Sequence, residues 1–145
     1  MRRLALVVVA GLVLAGCGGS SQSTTTNKGA AMEAQIKSAY AKFFSGRTSV
    51  PDRVALLQNG AKFKGLVTSF ANNPLAKNVS VTVSSVTQTL QGNIANVVYT
   101  VKLGGAGLPK QTGTAVLQNG TWKVGDASLC KLVSLQGSTP SVCKS

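Results

Sequence analysis

The hydrophobic pattern of this chain changes its period at one place, the segment Asn72-Asn73-Pro74. Before it, apolar residues recur at three- and four-residue steps, as in residues 63–70, which is the spacing of one helix face. After it, apolar and small polar residues alternate, as in residues 79–83, which is the pattern of a half-buried strand. Helices followed by strands indicate an α+β fold, in which helices cover one face of an antiparallel sheet.

Three helices are predicted ahead of this break. The first begins at Ala31 and is stopped by Gly46. The second begins at Ser49-Val50-Pro51-Asp52, which combines an N-cap serine with a proline in the first turn. The third covers residues 63–70. A fourth, shorter helix is predicted after the strands, over residues 128–136.

Four strands are predicted, with turn residues between them. The alternation shifts phase at Ser84-Ser85, which indicates a β-bulge, and Gln91-Gly92-Asn93 forms a turn. Residues 104–109 read as a loop. Asn119-Gly120 is the strongest short hairpin signal, and it places Gln118 opposite Thr121. Three N-terminal helices packed on four antiparallel strands are sufficient for a curved sheet in a cone-shaped half-barrel.

The N-terminus has the layout of a bacterial lipoprotein signal. Arg2 and Arg3 precede the apolar residues 4–16, which are too few to span a bilayer, and Cys17 follows. We therefore expect a signal peptide over 1–16, a lipidated Cys17 with a flexible tether over 17–30, and one α+β domain over 31–145. The alternative is an ordinary signal peptide with a chance cysteine. The lipidated protein would be anchored on the extracytoplasmic face of the cell membrane without spanning it.

The chain has three cysteines. Lipidation of Cys17 would leave Cys130 and Cys143, and export would place them where disulfides form. We therefore predict a disulfide between them. The alternative is metal binding, for which one pair of thiols without a histidine is a poor site. No metal and no cofactor are expected.

Lysine and arginine outnumber aspartate and glutamate by 15 to 3. The basic residues are dispersed and no nucleic-acid-binding motif is visible, so nucleic acid is not an expected partner. Attraction to an anionic membrane or envelope surface is one interpretation of the charge. General solubility is the other.

Catalysis is not expected from this sequence. It has no histidine, the residue that most often transfers protons near neutral pH. The acidic residues are Glu33, Asp52 and Asp126, and each falls near a predicted helix N-terminus, where a carboxylate complements the helix dipole. The three acids thus have a structural explanation.

Several stretches resemble a known family, the mycobacterial low-molecular-weight secreted antigens, in their C-terminal domain. They include the cysteine pair around Leu129-Cys130, and together they span most of residues 31–143. The other matching stretches are residues 53–60, 73–77, 79–86, 97–100 and 113–125.

The resemblance implies an actinobacterial envelope protein with a fold similar to nuclear transport factor 2, and it transfers no catalytic residues. This chain differs from the secreted members of the family because it has a lipoprotein signal that ends at Cys17. Half-barrels of this class often enclose an apolar pocket, so the first hypothesis is binding of a small apolar ligand or lipid. The second is a protein-interaction or structural module that docks on an envelope partner. The candidate pocket residues are Phe63, Phe70, Tyr99 and Trp122, for which plain core packing is the alternative.

Overall fold

A computed structural model of the protein describes residues 23–134, 137 and 139–144. Four helices and five antiparallel strands form one α+β unit. The elements, in chain order, are α1 (Ser23–Phe44), α2 (Val50–Leu56), α3 (Lys64–Asn72), a 3-10 turn (Pro74–Asn78), β1 (Val79–Gln88), β2 (Ile94–Leu103), β3 (Ala106–Gly107), β4 (Gln111–Gln118), β5 (Thr121–Val124), α4 (Asp126–Ser134) and a second 3-10 turn (Ser141–Cys143).

Helix α1 begins earlier than the sequence predicted. It starts at Ser23 rather than Ala31, so the prediction of a flexible tether is wrong for residues 23–30. Nucleation of a helix is unfavourable in free energy, and in α1 the packed turns downstream provide the nucleus. Each residue added to it then gains a hydrogen bond at a small propensity cost. Cys17 and the predicted signal peptide lie outside the described residues, and the division into 1–16, 17–30 and 31–145 stays a prediction.

The predicted cap of α2 is confirmed. The Ser49 hydroxyl accepts a hydrogen bond from the Asp52 N–H at 3.3 Å and donates to the Asp52 carboxylate at 2.6 Å, with Pro51 in the first turn. The side chains of Ser49 and Asp52 thus fix the start of the helix. After α2 the chain turns at Leu57, which bridges to Val124 and covers part of the free edge of β5.

The strands are ordered β1-β2-β4-β5, and the two-residue β3 pairs with β2. This β3 lies inside the segment that was predicted as a loop. The predicted bulge in β1 is confirmed, because the register with β2 shifts between Val83 and Ser85. Bulges bend a strand and increase its twist, and the sheet curls into a half-barrel as predicted.

The predicted hairpin register is confirmed at every pair, from Gln118 opposite Thr121 to Ala115 opposite Val124. Asn119 and Gly120 both have positive φ, as this turn requires. Trp122 and Val124 are buried on the helix side of the sheet as expected, but Leu117 is 37% exposed. Its strand ends beyond the cover that the helices provide.

The core lies between the helices and the concave face of the sheet. On β2, alternate residues from Ala95 to Val101 are buried. Helix α1 crosses this face and contacts both β1 and β5. Among residues 23–134, 137 and 139–144, no helix combines the length and the apolar character that crossing a membrane would require.

The predicted disulfide joins Cys130 of α4 to Cys143, with their Cα atoms 5.5 Å apart. It ties the C-terminal 3-10 turn to α4, and it rules out the alternative that the two thiols hold a metal ion.

Candidate functional site

The interior of the half-barrel is filled by the protein's own aromatic rings. Tyr40, Phe43, Phe44 and Tyr99 are each at most 1% exposed. The ring centroids of Tyr40 and Tyr99 are 5.2 Å apart, and those of Phe43 and Phe44 are 4.9 Å apart, which is the normal range for packed aromatic pairs. A small cavity beside Phe70, bordered by the exposed Leu75, measures only about 50 Å³, enough for a few water molecules.

The structure does not bring the four predicted pocket residues into one pocket. Tyr99 and Phe63 are buried in the core, and neither lines any of the cavities described here. Phe70 borders the small cavity next to Leu75, while Trp122 borders two larger clefts elsewhere on the surface. None of the cavities described here unites the four residues, and Tyr40 and Phe44 occupy the space beside Tyr99. A pocket lined by the four residues stays a prediction.

The two clefts that share Trp122 measure about 540 and 480 Å³ and lie between α1 and the turns of the sheet. We call them together the Trp122 groove. One cleft lies beside the β4–β5 turn and the other beside the β1–β2 turn. The first is lined by Ala34, Gln35, Ser38, Ala39, Lys42, Leu56, Gly120, Thr121 and Trp122, and the second by Lys28, Gly29, Met32, Gln88, Gly92, Leu117 and Trp122.

Small residues open this groove. Gly29, Ala34 and Ser38 lie on α1 where larger side chains would close the space, and Gly120 on the opposite wall has no side chain. Trp122 is 6% exposed, so its indole forms part of the floor rather than projecting from it. The groove therefore has an apolar floor at Trp122, and its walls combine these small residues with longer side chains such as Gln35 and Gln88.

The charge in the groove has one sign. Lys28 lines the cleft by the β1–β2 turn and Lys42 lines the cleft by the β4–β5 turn, and no acidic residue lines either cleft. The two lysines are about 20 Å apart along α1 at 1.5 Å per residue. Each cleft thus combines an apolar lining with one basic residue.

The three acidic residues are apart from one another and have structural partners. Glu33 pairs with Lys37 at 2.6 Å in the middle of α1, so its predicted place in the first helical turn is wrong because the helix begins earlier. Asp52 caps α2 as predicted. Asp126 accepts a hydrogen bond from Asn59 at 3.2 Å and stands in the first turn of α4.

A buried polar cluster joins α1, β4 and α4. The Ser128 hydroxyl accepts from the Thr114 N–H at 2.8 Å, and the Tyr40 hydroxyl donates to the Thr114 carbonyl at 2.7 Å. The two hydroxyls are 3.1 Å apart. Burial raises the pKa of Tyr40, and also that of Tyr99, above the usual tyrosine range. β5 ends at Val124, and although the Gly125 N–H still donates to the Thr114 carbonyl, the Ser128 hydroxyl replaces a strand carbonyl as the acceptor of the Thr114 N–H.

Arg53 is a buried residue that the sequence analysis did not single out. Its side chain is 1% exposed, its guanidinium donates to the Ser45 carbonyl, and it lies 5.1 Å from the centroid of the Phe70 ring. Nε and Nη1 have no hydrogen-bond partner among the described residues. Burial lowers the pKa of this guanidinium. The sequence signal was available, since Arg53 falls on the apolar side of a short capped helix.

The described part of the chain contains no group of three or more histidine, cysteine, aspartate or glutamate side chains that could hold a metal ion. Cys130 and Cys143 are bonded to each other and the three acidic residues lie apart, so these side chains do not gather into such a group.

Comparison with curated protein sequences finds no match. Among solved structures, the chain is similar to the crystal structure of the intermembrane space region of the chloroplast protein ARC6, with 14% identity and a TM-score of 0.35 over 70% of this chain and 91% of that one. A likeness this distant is too weak to argue from.

The family described as "Low molecular weight antigen MTB12, C-terminal domain" matches residues 29–140. This range contains all four helices in whole or in part, all five strands and Cys130. It agrees with the resemblance carried by the stretches around the Asn119-Gly120 hairpin. The chain therefore belongs to the family of the low molecular weight antigen MTB12, through its C-terminal domain.

Proposed function

We propose that this protein is a lipid-anchored component of the cell envelope whose domain binds an amphipathic molecule in the Trp122 groove and catalyses no reaction. The observation that carries the proposal is the groove itself. Two clefts of about 540 and 480 Å³ share one indole, have small residues in their walls and are lined by lysines without acids. The preferred ligand has an apolar chain and an anionic head group.

The lipid anchor is supported by the cysteine arrangement. The disulfide uses Cys130 and Cys143, which leaves Cys17 as the remaining cysteine of three. A structural disulfide is typical of exported proteins, and Cys17 follows a short apolar run and small residues, as lipid attachment requires.

The absence of catalysis is supported by what the titratable groups do. Glu33, Asp52 and Asp126 are each engaged in an ion pair, a helix cap or a hydrogen bond, and they do not face a common cleft. The buried hydroxyls of Tyr40 and Ser128 are tied to the backbone of Thr114.

Trp122 is the single tryptophan of the chain, so its fluorescence reports on the groove directly. The test uses a secreted form that begins after Cys17, titrated with a long-chain fatty acid brominated along its chain. We expect saturable quenching of Trp122, because the apolar chain would lie against the indole. Quenching that is absent, or that rises without saturation, would contradict binding in the groove.

Two matched variants sharpen this test. Ser38→Phe adds an aromatic ring to the wall of the groove, and Ser69→Phe makes the same change at an exposed site on α3. We expect the groove variant to weaken quenching and the α3 variant to bind as the parent does. Equal binding by the two variants would place the ligand elsewhere.

The alternative function is docking on an envelope protein. It is favoured by Leu75, which is 65% exposed in the 3-10 turn before β1 and lines neither cleft of the Trp122 groove. If the fatty acid does not bind and a Leu75→Ser variant loses an envelope partner that the parent retains in crosslinking, the docking function is the correct one.

A further inference from the structure

One end of the domain presents leucines to solvent beside the start of α1. Leu90 stands in the β1–β2 turn and is fully exposed, and Leu117 at the end of β4 is 37% exposed. The N–H of Leu117 donates to the carbonyl of Asn93 in the same turn. The residues that flank Leu90, Gln88 and Gly92, share a cleft with the first described turns of α1.

The Leu90 side chain is held out by an ordered turn. Gly92 has a φ of +76°, which glycine adopts without strain, and the Gln88 amide donates to the Gly92 carbonyl at 2.6 Å. The turn thus presents Leu90 and Leu117 together as a small apolar surface. Contiguous apolar surfaces of this kind mark sites that a membrane or a partner covers.

The short length of chain between Cys17 and α1 limits how far this end of the domain can lie from an anchoring membrane. Cys17 and the helix start at Ser23 are separated by six residue steps, and a fully extended chain covers about 20 Å in that distance. Lys28, which lines the cleft beside the β1–β2 turn, is about 8 Å farther along the helix. With an acylated Cys17 in the membrane, this end of the domain stays within reach of the bilayer.

The charge beside the turn is compatible with the same orientation. Lys28 is exposed, and no acidic residue lines the cleft that contains it. A basic residue near an anionic leaflet is attracted to it. Leucine and lysine side by side on one surface are typical of segments that lie in the interface between head groups and acyl chains.

We propose that the β1–β2 turn seats on the lipid surface to which the protein is anchored, with Leu90 inserted into the interfacial region and Leu117 and Lys28 beside it. This inference rests on the proposed lipid anchor at Cys17. It also deepens the proposed binding function, because the part of the Trp122 groove next to Gly92 and Leu117 then opens at the bilayer, from which an amphipathic ligand can enter.

The chain offers a matched control for this proposal. Leu75 is also largely exposed, but it precedes β1, whereas Leu90 follows it. The ten residues of β1 separate the two leucines by about 30 Å. Leu75 is therefore held away from the membrane in the proposed orientation.

The experiment places an environment-sensitive fluorophore on Leu90→Cys or Leu75→Cys in the mature, acylated protein. The introduced thiol is the one that reacts, since Cys130 and Cys143 are bonded to each other and Cys17 is acylated. The proteins are reconstituted in vesicles of phosphatidylcholine and phosphatidylglycerol, with and without brominated phosphatidylcholine. We expect the probe at 90 to shift to shorter wavelength and to be quenched by the brominated lipid, while the probe at 75 emits as in water.

Equal emission from the two positions in acylated protein would overturn the seating of the turn on the membrane. An intact mass that shows no acyl chains on Cys17 would overturn the anchor and this inference with it. The quenching of Trp122 by brominated fatty acid is measured on the form without the anchor, so it tests groove binding independently of both results.

Discussion

The hydroxyl of Ser128 is the sharpest place to test how this fold is held together. It is the partner of the Thr114 N–H at 2.8 Å, at a point where β5 no longer pairs with β4. Ser128→Ala leaves that N–H without its acceptor. An unsatisfied, partly buried donor costs about 1–3 kcal/mol, so we expect the free energy of unfolding to fall by about 2 kcal/mol.

Tyr40→Phe in the same cluster is expected to cost less, below about 1 kcal/mol. The Thr114 carbonyl would keep two other donors, the Gly125 N–H at 2.7 Å and the Ser128 hydroxyl at 3.2 Å. Nothing buried would be left unsatisfied. Because the two hydroxyls are in contact, the double variant should depart from additivity by about 0.5 kcal/mol or more.

Equilibrium urea unfolding followed by Trp122 fluorescence measures these differences. Ser134→Ala is the control, since Ser134 is on the same helix, is exposed, and bonds only to a carbonyl of its own helix in the described structure. We expect it to match the parent. If Ser128→Ala unfolds like the parent, or if Tyr40→Phe is the costlier change, the account of the Ser128 hydroxyl as a replacement for a strand carbonyl is wrong.

The remaining predictions concern pH, a buried charge and the disulfide. Folding raises the pKa of Tyr40, so above pH 10 the unfolded chain releases a proton that the folded chain retains, and the free energy of unfolding should fall by up to about 1.4 kcal/mol per pH unit. In alkaline urea titrations, this decline should be shallower for Tyr40→Phe than for the parent. Equal slopes would refute this prediction. Arg53→Met should leave the free energy of unfolding unchanged or higher in the same assay. The substitution removes two donors without partners, and the Ser45 carbonyl keeps its hydrogen bond from the Thr48 N–H at 3.2 Å. A loss of several kcal/mol would show that the guanidinium is needed. Reduction of the Cys130–Cys143 bond should lower the free energy of unfolding by about 3 kcal/mol, as expected for a loop of this length, and thermal unfolding with and without reductant checks it.

Features governed by a few adjacent residues could be predicted from the sequence. The Asn119-Gly120 turn fixed the whole hairpin register, because both residues accept positive φ and a two-residue turn leaves one pairing. Ser49 and Asp52 placed the start of α2 in the same way. The start of α1 was missed because nothing in residues 23–30 stops a helix that the packed turns downstream have already formed.

The candidate site could be predicted only in part. Trp122 lies beside open space, whereas Phe63, Phe70 and Tyr99, which were predicted to share a pocket with it, line neither of its clefts. The way in which α1 approaches the sheet decides which ring fills the half-barrel. Sequence periodicity predicts which face of an element is buried, but it does not predict which residue packs against it across the core.

The amino-acid sequence by itself determined the order of the helices and of every strand except β3, the turn chemistry, the bulge and the pair of cysteines that bond. These depend on backbone sterics and on neighbours close along the chain. The tertiary structure alone decided that Tyr40 meets Ser128 across 88 residues, that Arg53 is buried, and that the open space lies at Trp122 outside the half-barrel. The physical reason is that close packing is a property of all the facing side chains together, and their volumes meet only when the helices and the sheet have assembled.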